Sequence, residues 1–557
     1  MRGAIRLFAG CFLLAAAPAF AAPPNVLLVM TDDQGYGDLS CHGNPWLKTP
    51  HLDRLHKESV RLTNFHVDPT CSPTRSALLT GRYSSRTGVW HTIGGRSLLR
   101  RDEVTLADHF ARGYKTGIFG KWHLGDNYPF RAVDRGWQES LVHGGGGIAQ
   151  TPDAWDNTYF DDTYLHDGKP ERQKGYCTDV FFAAAAKFIE ANRDRPFFCY
   201  LATNAPHAPY NVDPKYSKRF LDAGVPRPRA NFYGMIENID ENVGRLLPRL
   251  PQNTIVIFLT DNGSAAGYDE AKRDGFNAGL RGVKGSPYDG GHRVPCFVSW
   301  AGKIEGGRDV TDLTAHIDLL PTLLDLCGVE ARHRFPLDGV SLRPLLEGKG
   351  KLPGRTLFVH SQRIEHPERW RQCAVMTSRW RLVNGKELFD VAADPGQRAD
   401  VAAKLPDVVK ELRAGYERWY ESISTRFGEY CEIVLGSERE NPSRLTGHDW
   451  HGDVVPWNHQ SIRKLPVANG FWAVEVERAG TYRFTLRHHP AEAKCPLRAT
   501  TARVKVGDVE AAAPVPAGAT EVTLEAKLPA GRARLQTWLD DGRTSRGAFY
   551  VEVRRVE

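Results

Sequence analysis

Asn25-Val26-Leu27-Leu28-Val29-Met30 is a short unbroken apolar run that ends in Thr31 and the carboxylate pair Asp32-Asp33. A run of this length without alternation reads as a strand buried on both faces, as in parallel sheets covered by helices. Its polar end is where open α/β sheets gather ligands. The pattern recurs at residues 116–120, 197–202, 254–260 and 294–300, mostly β-branched or aromatic and mostly ending in polar residues. Between these runs, residues 179–191, 230–247 and 316–326 carry apolar side chains at three- to four-residue spacing, the mark of helices. The alternation predicts an α/β fold, a large mainly parallel sheet flanked by helices, over residues 22–354.

Outward from this core the character changes. Residues 355–425 hold short strand-like pieces, a turn at Asn384-Gly385 and a closing helix over 405–420, a small C-terminal unit of different character. Residues 426–557 alternate at strand length over 471–477, 480–487, 502–506, 521–528, 532–539 and 548–553 between Gly and Pro turns, and predict a linker and an extra β-sandwich domain of jelly-roll type. Arg2 and Arg6, the apolar stretch 7–17 and Ala19-Phe20-Ala21 form an export signal over residues 1–21, implying a periplasmic or secreted mature chain. No later apolar run is long enough for a membrane span.

The chain of 557 residues, 41% hydrophobic and 25% charged with net charge +7, is that of an ordinary folded protein. No Lys/Arg block suggests a nucleic-acid partner. Ten cysteines without a CxxC pair argue against a zinc site and a disulfide scaffold, leaving room for one or two bridges. Asn262-Gly263-Ser264 is a glycosylation sequon, but Asn262 is needed as a metal ligand, which favours a bacterial location.

The chemistry lies at the strand ends. Asp32-Asp33 alone would serve as a helix N-cap pair. With Asp261-Asn262 after the run 254–260, two strand ends offer four oxygen ligands of the kind Ca2+ accepts. Cys71-Ser72-Pro73-Thr74-Arg75, followed by Leu78-Leu79-Thr80-Gly81-Arg82, resembles the signature of the type I, arylsulfatase-like sulfatases of the alkaline phosphatase superfamily. In that family the cysteine is oxidised to Cα-formylglycine by a formylglycine-generating or sulfatase-maturating enzyme. The resemblance covers about residues 24–425.

It implies an alkaline-phosphatase-like fold with a small antiparallel C-terminal subdomain over residues 355–425, and a sulfuric ester hydrolase. Asp32, Asp33, Asp261 and Asn262 would hold Ca2+ together with position 71, and one hydroxyl of the hydrated aldehyde, a geminal diol, would attack sulfur. Arg75 would stabilise that hydroxyl. Lys121 and His123, in Gly120-Lys121-Trp122-His123-Leu124-Gly125, would bind sulfate and take the diol's proton. His207, in Pro206-His207-Ala208-Pro209, would donate to the departing alcohol, and Lys284 would reach both sulfate and leaving group. The neighbouring Tyr288-Asp289-Gly290-Gly291-His292-Arg293 could serve packing or substrate, and His316-Ile317-Asp318 reads as structural.

The predicted activity is hydrolysis of sulfate esters, of a sulfated carbohydrate or another small ester. A formylglycine-dependent phosphodiesterase or phosphonate monoester hydrolase and a catalytically silent glycan-binding protein are the alternatives. The loop 141–173, with Trp155, Tyr159 and Tyr164, is expected to line the pocket, and the segment 448–459 to return toward the core with Trp450 and Trp457 on its rim. The oligomeric state is not legible.

Overall fold

The computed structural model describes residues 22–332 and 334–557, so the export signal at 1–21 lies outside the described residues. The main domain is built on a ten-stranded sheet. Its strands are β1 (Asn25–Thr31), β2 (Val60–Leu62), β3 (Lys115–Lys121), β4 (Glu139–His143), β5 (Thr163–His166), β6 (Lys169–Arg172), β7 (Phe197–Ala202), β8 (Thr254–Thr260), β9 (Cys296–Trp300) and β10 (Arg308–Val310). The order is β10-β2-β9-β8-β1-β7-β3-β4-β5-β6. Strands β8, β1, β7, β3 and β4 pair in parallel, while β9 and β5 run antiparallel to their neighbours.

Burial explains the centre. Every residue of β1, β7 and β8 is buried. Helices α1 (Pro50–Glu58), α2 (Cys71–Thr80), α3 (Cys177–Ala191), α4 (Arg227–Leu246) and α5 (Leu319–Cys327) complete the α/β unit. One face packs Val26, Leu28 and Met30 with Leu78, Leu320 and Leu323 of α2 and α5, the other Leu27 and Val29 with Phe181, Phe188 and Ile239 of α3 and α4. The short strands β2, β5, β6 and β10 carry too few apolar residues to be read from sequence.

The C-terminal subdomain is an antiparallel sheet of β11 (Leu357–His360), β12 (Cys373–Met376), β13 (Trp380–Val383) and β14 (Glu387–Asp390), closed by α6 (Pro406–Ser424). Beyond it two sheets face one another. The larger runs β15 (Ile433–Leu435), β17 (Phe471–Val476), β22 (Gly531–Asp540), β19 (Thr501–Val506), β20 (Val509–Pro514); the smaller runs β16 (Ser443–Thr446), β23 (Tyr550–Arg555), β18 (Gly480–Arg487), β21 (Val522–Leu528). Alternation places Tyr482, Phe484 and Leu486 of β18 in the sandwich core with Trp472, Leu524 and Val553. Leu98 and Phe130 of the main domain join that same core, so the sandwich packs directly against the α/β unit.

Two points left open by the sequence are filled in. All cysteines among the described residues are free, because most are single buried apolar fillers of strands and helices. Strand β20, Val-Glu-Ala-Ala-Ala-Pro, was not foreseen, since its small residues give almost no alternating signal. Among the described residues no helix is long and apolar enough to cross a membrane.

One buried ion pair fastens the C-terminal subdomain to the main domain. Arg381 of β13 is almost completely buried; its Nε donates to Asp289 Oδ1 at 3.0 Å and its Nη2 to Asn64 Oδ1 at 3.0 Å. Arg381→Met strands the buried Asp289 carboxylate and should cost about 3–5 kcal/mol. Calorimetry should show a lower Tm, largely recovered by adding Asp289→Asn; an unchanged Tm would contradict this account of the interface.

Candidate active site

The parallel strand order puts β1 and β8 side by side in register, Thr31 opposite Thr260, so that Asp32-Asp33 and Asp261-Asn262 leave adjacent strand ends together. All four are buried. Asp33 adopts a left-handed backbone, φ 67°. Its N–H donates to Asp261 Oδ1 at 3.1 Å, and Asn262 Nδ2 donates to its Oδ1 at 2.9 Å.

Cations answer these carboxylates. Lys121, from the end of β3, lies 2.5 Å from Asp32 Oδ2, and Lys284 lies 2.6 Å from Asp33 Oδ1. Arg75, one turn into α2, donates from Nη2 to Asp261 Oδ2 at 2.8 Å and from Nη1 to the Lys121 carbonyl at 3.0 Å. Burial by itself would raise the Asp33 carboxyl, yet Lys284, then His207 and Lys121, hold it well below the usual range. At Asp261 burial prevails, reinforced by the charge of Asp32, and pushes the carboxyl up to about 6.

Cys71 opens α2 at the centre of the group. Ligand atoms of Asp32, Cys71 and Asp261 lie within 4.8 Å of one another, as do those of Asp33, Cys71 and His207. Burial raises the thiol pKa, so the unmodified side chain is a poor thiolate nucleophile. Asp32 Oδ1 and Asn262 Oδ1 are buried without a hydrogen-bond partner. Unpaired carboxylate and amide oxygens in a tight set of hard donors fit a divalent cation such as Ca2+.

The two histidines stand under a glycine stretch. His207 Nε2 lies 3.8 Å from Asp33 Oδ2, and its Nδ1–H donates to the Ala208 carbonyl at 2.6 Å. Burial pushes its pKa down to about 3 despite the pull of Asp33; an anionic ligand would act in the opposite direction. His123 also has a left-handed backbone, φ 58°. Its Nε2–H donates to the Thr92 carbonyl at 2.9 Å, while its Nδ1 is buried without a partner. No hydrogen bond among the described residues joins His123 to Cys71. A Cβ on Gly146 would sit 2.3 Å from the His123 ring, and one on Gly147 3.0 Å from His207 Nδ1, so the chain passes over both imidazoles only because these residues are glycine.

The expected rim differs from the observed one. Tyr159 is core, its hydroxyl donating to the His207 carbonyl, and Tyr164 is buried, because the aromatic part of the loop folds against α3 while only its glycines pass over the site. Trp155 and Tyr164 line a different cavity of about 740 Å³, between the main domain and the sandwich. Trp450 is buried in the sandwich core, its Nε1–H donating to the Val454 carbonyl, so it cannot stack on a ligand. The segment around it does return to the core: Thr151 N donates to the Trp457 carbonyl at 2.9 Å, and Trp457 itself is 40% exposed. His292 and Asp289 serve packing, with His66 and Arg381, and Asp318 pairs with Arg355. Gly146 and Gly147 belong to the loop 141–173 and His448 to the segment 448–459, both expected at the rim, whereas Thr92 carries no signal in the sequence because it acts through a long-range contact.

The sulfatase family model matches residues 24–329, and that of the N-sulphoglucosamine sulphohydrolase C-terminal region matches residues 284–419. Human (Homo sapiens) arylsulfatase A is 34% identical over 463 residues, 76% of this chain and 87% of its own. Steryl-sulfatase of Mus musculus is 30% identical, over 68% of this chain and 72% of its own. The crystal structure of Ps i-CgsB in complex with k-i-k-neocarrahexaose superposes with TM-score 0.66 at 26% identity, covering 74% of this chain and 95% of that one. Since the family model spans more than half of the chain and the strand-end carboxylates, lysines and Cys71 converge on one site, the chain belongs to the sulfatase family and is a hydrolase of sulfate esters.

Proposed function

We propose that this sulfatase is exported and acts on sulfated carbohydrates, with Cys71 matured to Cα-formylglycine and Ca2+ held by Asp32, Asp33, Asp261, Asn262 and position 71. The observation that carries this reading is the convergence of Cys71, three buried carboxylates and the cations of Arg75, Lys121 and Lys284. The carbohydrate substrate is supported by the likeness to Ps i-CgsB, whose structure holds a neocarrahexaose, and to N-acetylgalactosamine-6-sulfatase of Homo sapiens, 31% identical over 61% of this chain. The apolar leader at 1–21 supports export.

When present, the hydrated formylglycine supplies an oxygen nucleophile and the cation supplies positive charge beside it. With its Nε2–H held by Thr92, His123 keeps Nδ1 free of a partner, and that nitrogen would accept a proton from the hydrated side chain. Lys121 and Lys284 bind sulfate oxygens and offset the charge that builds on them. Arg75, fully buried, keeps Asp261 oriented and cannot lose its proton. His207, 14% exposed, stands at the open side of the site, where it can hold a proton toward the leaving oxygen. Burial of the group keeps water out and strengthens each of these interactions.

Three outcomes test the reading. Peptide mass spectrometry after co-expression with a maturating enzyme should show thiol replaced by aldehyde at residue 71, and Cys71→Ala should abolish turnover without shifting Tm; full activity with unmodified Cys71 would refute the maturation. Chelation should remove activity that Ca2+ restores, and Asp33→Asn should lower kcat/KM by about 100-fold or more, because it takes away a ligand of the cation that would offset the developing negative charge; a metal-free, fully active preparation would exclude the cation. On matched esters the aryl sulfate should be hydrolysed far faster than the aryl phosphate, and a panel of sulfated mono- and disaccharides should contain the preferred substrate. Preference for phosphate would favour a phosphodiesterase.

A further inference from the structure

His448 lies outside both segments matched by the family models, in the connection between β16 and β17 of the sandwich, yet it is buried beside His123 with ring centroids 6.3 Å apart. Its Nδ1–H donates to Asp449 Oδ1 at 2.7 Å, which fixes the ring, and its Nε2 is buried without a partner. Its carbonyl accepts from the Gly94 N–H at 2.8 Å. Gly94 belongs to the loop whose Thr92 carbonyl holds His123 Nε2–H. The staple is tight: a Cβ on Gly95 would lie 2.4 Å from His451 Nε2.

His123 needs such support. A left-handed backbone at a non-glycine residue costs on the order of 1–3 kcal/mol and persists only where the surroundings impose it. Here the constraints are the Thr92 carbonyl, Gly146 and the ring of His448. Gly146 is in turn anchored through its neighbour, since Gly145 N donates to Asp126 Oδ1 at 3.0 Å. Two of the three constraints thus involve His448, one through its ring and one through its carbonyl.

We propose that His448 is a positioning residue of the active site, which packs on His123 and pins the loop of Thr92, so that the sandwich connection is an integral part of the catalytic centre. The inference rests on the reading that His123 acts on the substrate. With 4-nitrophenyl sulfate and the full matured chain, His448→Ala should lower kcat by about 10- to 100-fold, as small misplacements of a reacting group do. KM should stay nearly constant, because placement of a proton acceptor matters chiefly in the transition state. His448→Gln, which keeps a side-chain donor for Asp449, should recover part of the loss and serves as the test variant if the alanine form does not fold.

Leu524→Ala, in the sandwich core, is the control for mere destabilisation and should leave kcat per folded molecule unchanged. In a His123→Ala background, His448→Ala should cost nothing further, since the two act as one unit. Unaltered kcat in His448→Ala, an equal loss in Leu524→Ala, or additive losses in the double variant would overturn the proposal. Full activity of His123→Ala would instead overturn the reading of His123 and the proposal with it.

Discussion

Asp32, Asp33 and Asp261 bury three carboxylates at the ends of two adjacent strands, and the rest of the site answers the cost of holding them there. Unpaired, one buried carboxylate is already expensive and three in contact would take up protons instead. Lys121, Lys284 and Arg75 approach from β3, a loop and α2 respectively, and each is drawn in by a different carboxylate. The same concentration of positive charge then suits a sulfate ester, whose anionic oxygens and departing alkoxide both need compensation. Stability and catalysis therefore draw on one set of charges.

Backbone strain sits at the same place. Asp33 and His123 are both held with positive φ, although neither is glycine. Such conformations turn a side chain out of the direction a strand end would give it, into the space above the sheet. The surrounding contacts must then be strong and numerous. For Asp33 they come from Asp261, Asn262 and Lys284. For His123 they come from Thr92, a glycine stretch that can pass over the ring, and a residue of the sandwich connection.

The sandwich also bears on the loop near His207. The Thr151 side chain donates to the Pro456 carbonyl, and His459 N donates to the Ala149 carbonyl at 2.9 Å, fixing the segment that continues from Gly147. Its core takes in Leu98 and Phe130 of the α/β unit, so that sheet packing, and not a flexible tether, sets its orientation. Of the two tryptophans on this return segment, Trp457 is exposed and Trp450 is buried.

The central strands were legible because a helix-covered parallel strand needs an unbroken apolar run, and residues 26–30, 197–202 and 254–260 have one. The sandwich strands were legible from alternation, which burial of one face imposes, and β20 was missed where Ala and Glu blur it. The site's motifs at Asp32, Cys71, Lys121 and Asp261 were legible because each is a local cluster of unusual residues at a strand or helix end. By itself the sequence therefore determined the layers of the fold and most of the site's charges. Only the tertiary structure decided that Trp450 is core, that Tyr159 supports His207, and that His448 meets His123 across more than three hundred residues. Those contacts follow from how separate elements pack, and packing between distant segments leaves no periodicity or spacing in the chain to read.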